Sequence, residues 1–314
     1  MPQDPTATSD VAVIGGGVIG LAIAWRAAQR GLAVCVLERG ELGAGASHVA
    51  AGMLAPVTEA DAGELALLEL GLRSARAWPA FAKRLADAAG ADPGLRDSGA
   101  LVVARDRDEA EALERELALR LELGLDVRRL LPSAARRLEP ALAPTVRLAL
   151  DVPGDHCADP RALVLALAEA ARRAGVRLRT GSAVERVVRF EGGYLVPRGD
   201  GRYVLGATME ERGFDTTVTA GGLYELLRDA GELVPGVHEL VVEEMAAGLR
   251  PATPDNAPLL GPAAELEGLH WATGHHRNGI LLAPVSAELV VDGLAGGGAV
   301  PSAFAAARFA GVHA

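Results

Sequence analysis

Val11 to Ile14 form a short, unbroken apolar run that three glycines follow at once. From Leu21 to Arg30 apolar and polar residues recur with helical spacing, and Gly31 follows. A continuous β-branched run of this length predicts a buried parallel strand, and the periodic stretch predicts a helix that stops at Gly31. Ala33 to Leu37 then repeats the apolar run as a second buried strand ending at Glu38. Helical periodicity with charged outer faces returns over residues 60–90 and 106–123, with a strand-like run at 98–106 between them. Those charges are most simply solvated helix faces. Another helix is expected from near Asp159, with Pro160 suited to its first turn, to Gly175, where a strand follows. This second αβ unit is expected to return to the sheet of the first.

Past Val188 the pattern changes from helical spacing to alternation. Tyr194–Arg198 and Arg202–Ala207 flank Asp200-Gly201, which predicts an antiparallel hairpin, and Pro197 points to an edge position or a bulge. A short helix capped by Thr219 is expected next. A strand-like run then ends at Arg250, before Pro251. The last pattern is a strand through Trp271, a turn at Gly274 and a helix from near Gly279.

Composition narrows the class. The chain has 314 residues, half of them hydrophobic and 23% charged, as in a soluble globular enzyme with a sizeable core. A formal charge of -10 argues against binding a nucleic-acid backbone. Cys35 and Cys157 have no metal-type spacing, and a reducing compartment fits them better than a disulfide. The N-terminal stretch "MPQDPTATSD" lacks a basic segment and an apolar core, so no signal peptide is expected. No apolar run reaches membrane-spanning length. A cytoplasmic protein without membrane or nucleic-acid partners is the expectation.

The first strand–turn–helix carries chemistry. Gly15-x-Gly17-x-x-Gly20 lies between strand and helix, with Glu38 at the end of the second strand. Gly15 and Gly17 permit a tight turn and close approach to a pyrophosphate, and Gly20 lets helix and strand pack closely. The helix start favours negative charge, and Glu38 is placed to accept from ribose hydroxyls. This fingerprint suits FAD and NAD alike. The small residues from Ala44 to Gly52 would let backbone approach a large flat ligand, and Ser47 could donate to phosphate.

Together, "VIGGGVIG", "GASHVAAGMLAP", "YLVPRGDGRYVLGATMEERGFD", "AGLRPATPDNAPLLGP" and "ATGHHRNGILLAP" resemble the glycine-oxidase branch of the D-amino-acid oxidase and sarcosine oxidase superfamily. The likeness spans nearly the whole chain. It implies an α/β, overall α+β, fold: a GR2-type, Rossmann-like FAD domain and an antiparallel-sheet substrate domain. The expected division gives residues 10–57, 150–188 and 256–314 to the discontinuous FAD domain, and 58–149 and 189–255 to a shortened substrate domain. The implied reaction is oxidation of glycine or another small amine by FAD to an imine, with oxygen reduced to peroxide, in the service of thiamine thiazole synthesis. Imine hydrolysis would yield a 2-oxo acid and ammonia.

The resemblance also assigns residues. Val18, Ile19, Glu38, Arg39, Ala46, Ser47, Ala51, Gly52 and Met53 match FAD-contacting positions, and Val184 matches the strand residue that meets the adenine. Gly274, His275, His276, Arg277, Asn278, Gly279, Ile280 and Leu281 match the loop and helix start at the flavin ring. Arg250 matches the arginine that holds a substrate carboxylate, and a guanidinium fork suits that task. Tyr194, Met209 and Arg277 match pocket-lining positions. The cofactor performs the redox step, so no residue is assigned as catalytic acid or base. The flavin-linking cysteine of monomeric sarcosine oxidases has no counterpart near Arg250, so FAD is expected to be non-covalent. A homo-oligomer is expected by the same analogy.

The chain departs from the family in one place. "SAVERV" passes directly into "VRFEGGYLVPR", where relatives carry several dozen further residues, so an internal deletion is expected near 187–190. The missing segment includes a strand between the GxGxxG strand and the strand near Trp271. Each buried backbone group left without a partner costs about 1–3 kcal/mol. Two rival functions follow: a D-amino-acid dehydrogenase or sarcosine-type oxidase, and a non-catalytic remnant that has lost flavin binding.

Overall fold

The computed structural model describes residues 9–179, 194–197, 203–206, 214–233, 241–263 and 267–309. It opens with β1 (Val11–Ile14), α1 (Val18–Gln29) and β2 (Val34–Leu37), the strands parallel with Val11 opposite Val34. α1 begins three residues before Leu21, because the glycine turn already delivers Val18 to the core. A single turn, α2 (Ala46–Val49), leads to β3 (Met53–Leu54). The long helix α3 (Leu65–Ala89) follows and ends at Gly90. It buries Trp78, Phe81, Leu85 and Ala89, whose three- and four-residue spacing makes one apolar stripe.

The next elements are β4 (Leu95–Arg96), β5 (Ala100–Ala104), α4 (Arg107–Glu122), β6 (Arg128–Leu130), α5 (Pro132–Leu138) and β7 (Leu148–Val152). α4 is capped reciprocally: the Asp106 side chain accepts from the Glu109 amide, and the Glu109 carboxylate accepts from the Arg105 amide. β7 is the centre of an antiparallel sheet, between β5 and β6. Its Leu148, Leu150 and Val152 pack with Leu113 and Leu117 of α4, and Ala149 packs the opposite face with Ala135 of α5. Burial on both faces removes the polar–apolar alternation, and Asp151 interrupts the apolar run that would otherwise mark a buried strand.

β8 (His156–Ala158) pairs with β3 and β4, and α6 (Pro160–Arg173) and β9 (Arg177–Arg179) complete the second αβ unit. The Asp159 carboxylate caps α6 by accepting from the amides of Arg161 and Ala162. β9 pairs in parallel with β2, so this unit returns to the first sheet as expected. β10 (Tyr194–Pro197) and β11 (Tyr203–Gly206) form the expected antiparallel pair, while the Asp200-Gly201 turn lies outside the described residues. α7 (Ala220–Leu233) is capped by Thr219, whose hydroxyl accepts from the Gly222 amide. β12 (Leu259–Pro262), β13 (His270–Thr273) and α8 (Gly279–Leu294) close the fold. One core joins α1, α3, α6 and α8 around the parallel sheet.

Two expectations are corrected. β1 is half-buried rather than fully buried: it alternates in exposure and leaves Ile14 57% accessible. Among the described residues β1 pairs only with β2, so its outer edge has no strand to cover it. The strand through Trp271 pairs antiparallel with β12. The run ending at Arg250 is not a strand: residues 241–250 take no regular structure, and the first eight are exposed. Without a neighbouring ladder, β propensity alone does not hold such a run in a sheet.

Candidate active site

The glycine turn builds the first half of the site. An added Cβ at Gly20 would lie 1.9 Å from the Gly15 carbonyl oxygen, so the turn closes only around a residue without one. The first amides of α1 have no carbonyl inside the helix to donate to and make its start electropositive. Two neighbours brace this start. Ser47 Oγ, buried on α2, accepts from the Val18 amide at 3.0 Å and keeps its own hydrogen for donation. Glu38 accepts from the amides of Gly16 (2.7 Å) and Gly40 (2.9 Å). The helix start and the Glu38 carboxylate therefore stand side by side, the pairing that the phosphates and ribose of a dinucleotide require.

The small-residue loop is held just as closely. Ala51 and Gly52 are buried, and the Gly52 carbonyl accepts from the Ala158 amide at 2.8 Å. A Cβ on Gly52, at φ +87°, would meet the Ala158 oxygen at 1.8 Å. Ile19, Ala46 and Met53 are half-buried beside it, while Arg39 is exposed. Residues of this shape and polarity fit a dinucleotide-bearing cofactor: Gly52 admits no side chain, and the small residues around it leave the loop's backbone open to close approach.

The second half forms where α8 begins. Gly274 turns the chain, and the His276 amide donates to the Pro251 carbonyl at 2.7 Å. This bond seats the residue after Arg250 against the loop 275–278. His276 takes a left-handed conformation at φ +47°, an uncommon one for a residue with a Cβ. Ile280 and Leu281 are buried, whereas Asn278 and Gly279 are half-buried at the helix mouth. The Leu281 carbonyl accepts from Ser74 Oγ (2.6 Å) and Trp78 Nε1 (2.9 Å), which ties this mouth to α3.

Charged groups converge here. Arg277 Nε lies 2.6 Å from Glu59 Oε2, and Arg250 is near enough to act on both Glu59 and His276. Burial pushes the Glu59 carboxyl above its ordinary value, against the pull of Arg277 and Arg250. A cleft next to them is lined by Pro56, Glu59, Glu64, Gly71, Asn278 and Leu281. Glu59 is a site residue that the sequence reading missed. Its only signal is a carboxylate six residues beyond Met53, after a loop of small residues, and nothing local marks it as inward-facing.

Two buried charges set the Glu59 loop. The Asp155 carboxylate accepts from the amides of Val57 (3.1 Å) and Thr58 (2.7 Å). Arg120 donates to the carbonyls of Val57 (2.9 Å) and Thr58 (2.7 Å) and pairs with Glu116. Thus Arg277, Arg250, His276 and Glu59 are brought together, with Gly274 to Leu281 around them. Val184 and Met209 lie outside the described residues, and Tyr194 is described only as the first residue of β10, opposite Gly206.

His275 gives this region a pH dependence. It is 3% exposed, its Nε2 lies 2.9 Å from Ser286 Oγ, and burial lowers its pKa from 6.5 to about 4. The unfolded chain therefore takes up this proton at a higher pH than the folded one. The stabilisation is complete above 6.5, falls as pH drops toward 4, and amounts to about 3 kcal/mol. Asp155, whose pKa burial raises, contributes with the opposite sign between its unfolded and folded values. Urea midpoints from pH 7 to 4.5 are expected to fall more steeply in the native protein than in His275→Gln. Equal slopes would remove His275 from the account.

Comparison with known proteins follows the same lines. The family model described as FAD dependent oxidoreductase matches residues 10–193 and 186–293. The glycine oxidase of Geobacillus kaustophilus is 33% identical over 347 aligned positions, which cover 90% of this chain and 92% of that protein. Its crystal structure gives a TM-score of 0.84 at 32% identity, covering 94% of this chain and 96% of that one. A putative thiamine biosynthesis oxidoreductase of Rhizobium etli, ThiO, is 36% identical, covering 88% of this chain and 94% of its own. The Geobacillus alignment is longer than the whole 314-residue chain, so part of that relative stands opposite nothing here. The two family segments overlap at 186–193, the stretch in which the departure from the family is expected. Motif, fold and alignment agree: the chain belongs to the FAD-dependent oxidoreductase family of the D-amino-acid oxidases.

Proposed function

We propose that this protein oxidises glycine, or another small amine bearing a carboxylate, to the imine with FAD and oxygen, and serves thiamine thiazole synthesis. The observation that carries this reading is the convergence of Arg250 and Arg277 with Glu59 where α8 begins. Two guanidinium groups with one carboxylate leave a net positive charge, which suits a substrate carboxylate next to an amine. FAD, held non-covalently by the glycine turn, Glu38, the Ser47 loop and the start of α8, supplies the electron acceptor. This chain's own residues bind and orient: Arg250 grips the carboxylate, and Arg277 and Glu59 set the charge around the amine. His276, held at a pKa of about 4 by burial and by the charges of Arg277 and Arg250, is neutral at physiological pH. Names given to relatives support the substrate: glycine oxidase in Geobacillus, and ThiO in Rhizobium.

The proposal also takes Tyr194 and Met209 as pocket residues and Val184 as the adenine contact. It keeps the division at residues 57/58, 149/150, 188/189 and 255/256 between FAD and substrate domains. It places the enzyme in the cytoplasm, a reading supported by two free, buried cysteines. Among the described residues no helix is long and apolar enough to cross a membrane. A homo-oligomer completes it, to be read by light scattering.

The visible spectrum of the purified protein, repeated after anaerobic glycine, tests the function. A bound-flavin spectrum that glycine bleaches, with peroxide formed on readmitting air, is the expected result. Bleaching with little peroxide would indicate the dehydrogenase instead. That no strand among the described residues covers the outer edge of β1 favours one rival, a folded protein without flavin turnover. A colourless protein that takes up no added FAD would establish that rival. Arg250→Met is expected to raise the KM for glycine about a hundredfold while flavin stays bound.

A further inference from the structure

We propose that Glu244, clamped by Arg161 and His48, is a positioning residue for Arg250; this rests on reading Arg250 as the carboxylate anchor. Arg250 ends a segment, 241–250, that has no strand or helix to hold it. On its C-terminal side the chain is fixed at once, where the Pro251 carbonyl accepts from the His276 amide at 2.7 Å. On its N-terminal side the fixing comes from side chains. Arg161 grips Glu244 in a two-pronged fork, Nη1 to Oε2 and Nη2 to Oε1, both at 2.9 Å. Arg161 Nε donates to the His48 carbonyl at 3.1 Å, and His48 Nε2 stands 3.4 Å from Glu244 Oε1. Four residues on, Gly248 sits so close to α2 that an added Cβ would lie 2.4 Å from Val49 Cγ2.

The partners of Glu244 are themselves on rigid elements. Arg161 is in the first turn of α6, whose start Asp159 caps and whose body packs in the main core. His48 is on α2, next to Ser47, which holds the Val18 amide. The clamp therefore ties the path leading into Arg250 to α6, which packs in the main core, and to α2, whose Ser47 braces the glycine turn. An exposed ion pair contributes little to global stability. Here its effect is local, because it replaces the ladder bonds that a strand would have supplied.

Glu244→Gln, Arg161→Gln and the double variant test this, with glycine kinetics and with acetate titrated against the flavin spectrum. In each single variant the KM for glycine and the Kd for acetate are expected to rise about three- to tenfold, with kcat within about twofold of native. The double variant is expected to lose no more than either single one, since both remove the same interaction. Additive losses would overturn the clamp, as would losses confined to kcat or flavin content. Arg250→Met, run alongside, separates the two readings. If it weakens acetate while Glu244→Gln and Arg161→Gln do not, the clamp alone falls. If it leaves acetate affinity unchanged, the carboxylate role of Arg250 falls and takes the clamp with it.

Discussion

Gly20→Ala is expected to purify colourless and to unfold at lower temperature than the native protein. The added methyl would stand 1.9 Å from the Gly15 carbonyl oxygen, which belongs to the backbone and has no flexible end to move aside. Relief requires the strand–turn–helix to open, and that shifts the first amides of α1 from the line they share with Glu38 and Ser47. Overpacking of this kind costs about 1–3 kcal/mol or more, and the same energy taken from cofactor binding weakens it about tenfold to a hundredfold. Flavin content by absorbance and FAD affinity by calorimetry read both effects. Gly221→Ala on α7, where a Cβ meets nothing within 4 Å, serves as the control and is expected to hold or slightly raise stability. A yellow Gly20→Ala protein with native FAD affinity would show that the turn does not carry the cofactor.

Asp155→Ala is expected to lower stability by about 3 kcal/mol, since it strips one buried and one half-buried amide of a charged acceptor. Asp155 is 0% exposed and holds the amides of both Val57 and Thr58. Asp155→Asn keeps one acceptor oxygen and should lose about half as much. The loop so held leads directly to Glu59, so the variant is also expected to raise the KM for glycine, while Arg120 still grips the two carbonyls. Urea unfolding at pH 7 measures the first effect and initial rates the second. A loss below about 0.5 kcal/mol would mean that water satisfies those amides once the carboxylate is gone.

The first αβ unit was legible because each of its signals is local. Val11 to Gly20 specify strand, turn and helix within ten residues, and these, with Glu38 and the Ser47 loop, make up the first half of the proposed cofactor site. The helix start near Asp159, the Thr219 cap, the antiparallel pair at Tyr194 and the turn at Gly274 were readable for the same reason. β7 was not, because it is covered on both sides and its alternation is lost.

What the sequence determined by itself is a dinucleotide-binding turn, written in glycine spacing and in one acidic strand end, with FAD implied by the family resemblance, together with the identity of Arg250 as a cation ahead of a turn. Only the tertiary structure decided what faces Arg250. Glu59, Asp155, Arg120 and Glu244 are each isolated charges along the chain, and they acquire roles only when distant elements bring them to Arg277, Val57 and Arg161. The tertiary structure also decided that, among the described residues, β1 has a strand on one side only and Ile14 is exposed, since a strand's burial depends on which neighbours arrive. Backbone geometry is set over a few residues by sterics and hydrogen bonding. Electrostatic partnerships form across tens or hundreds of residues, and there proximity is a property of the fold rather than of the sequence.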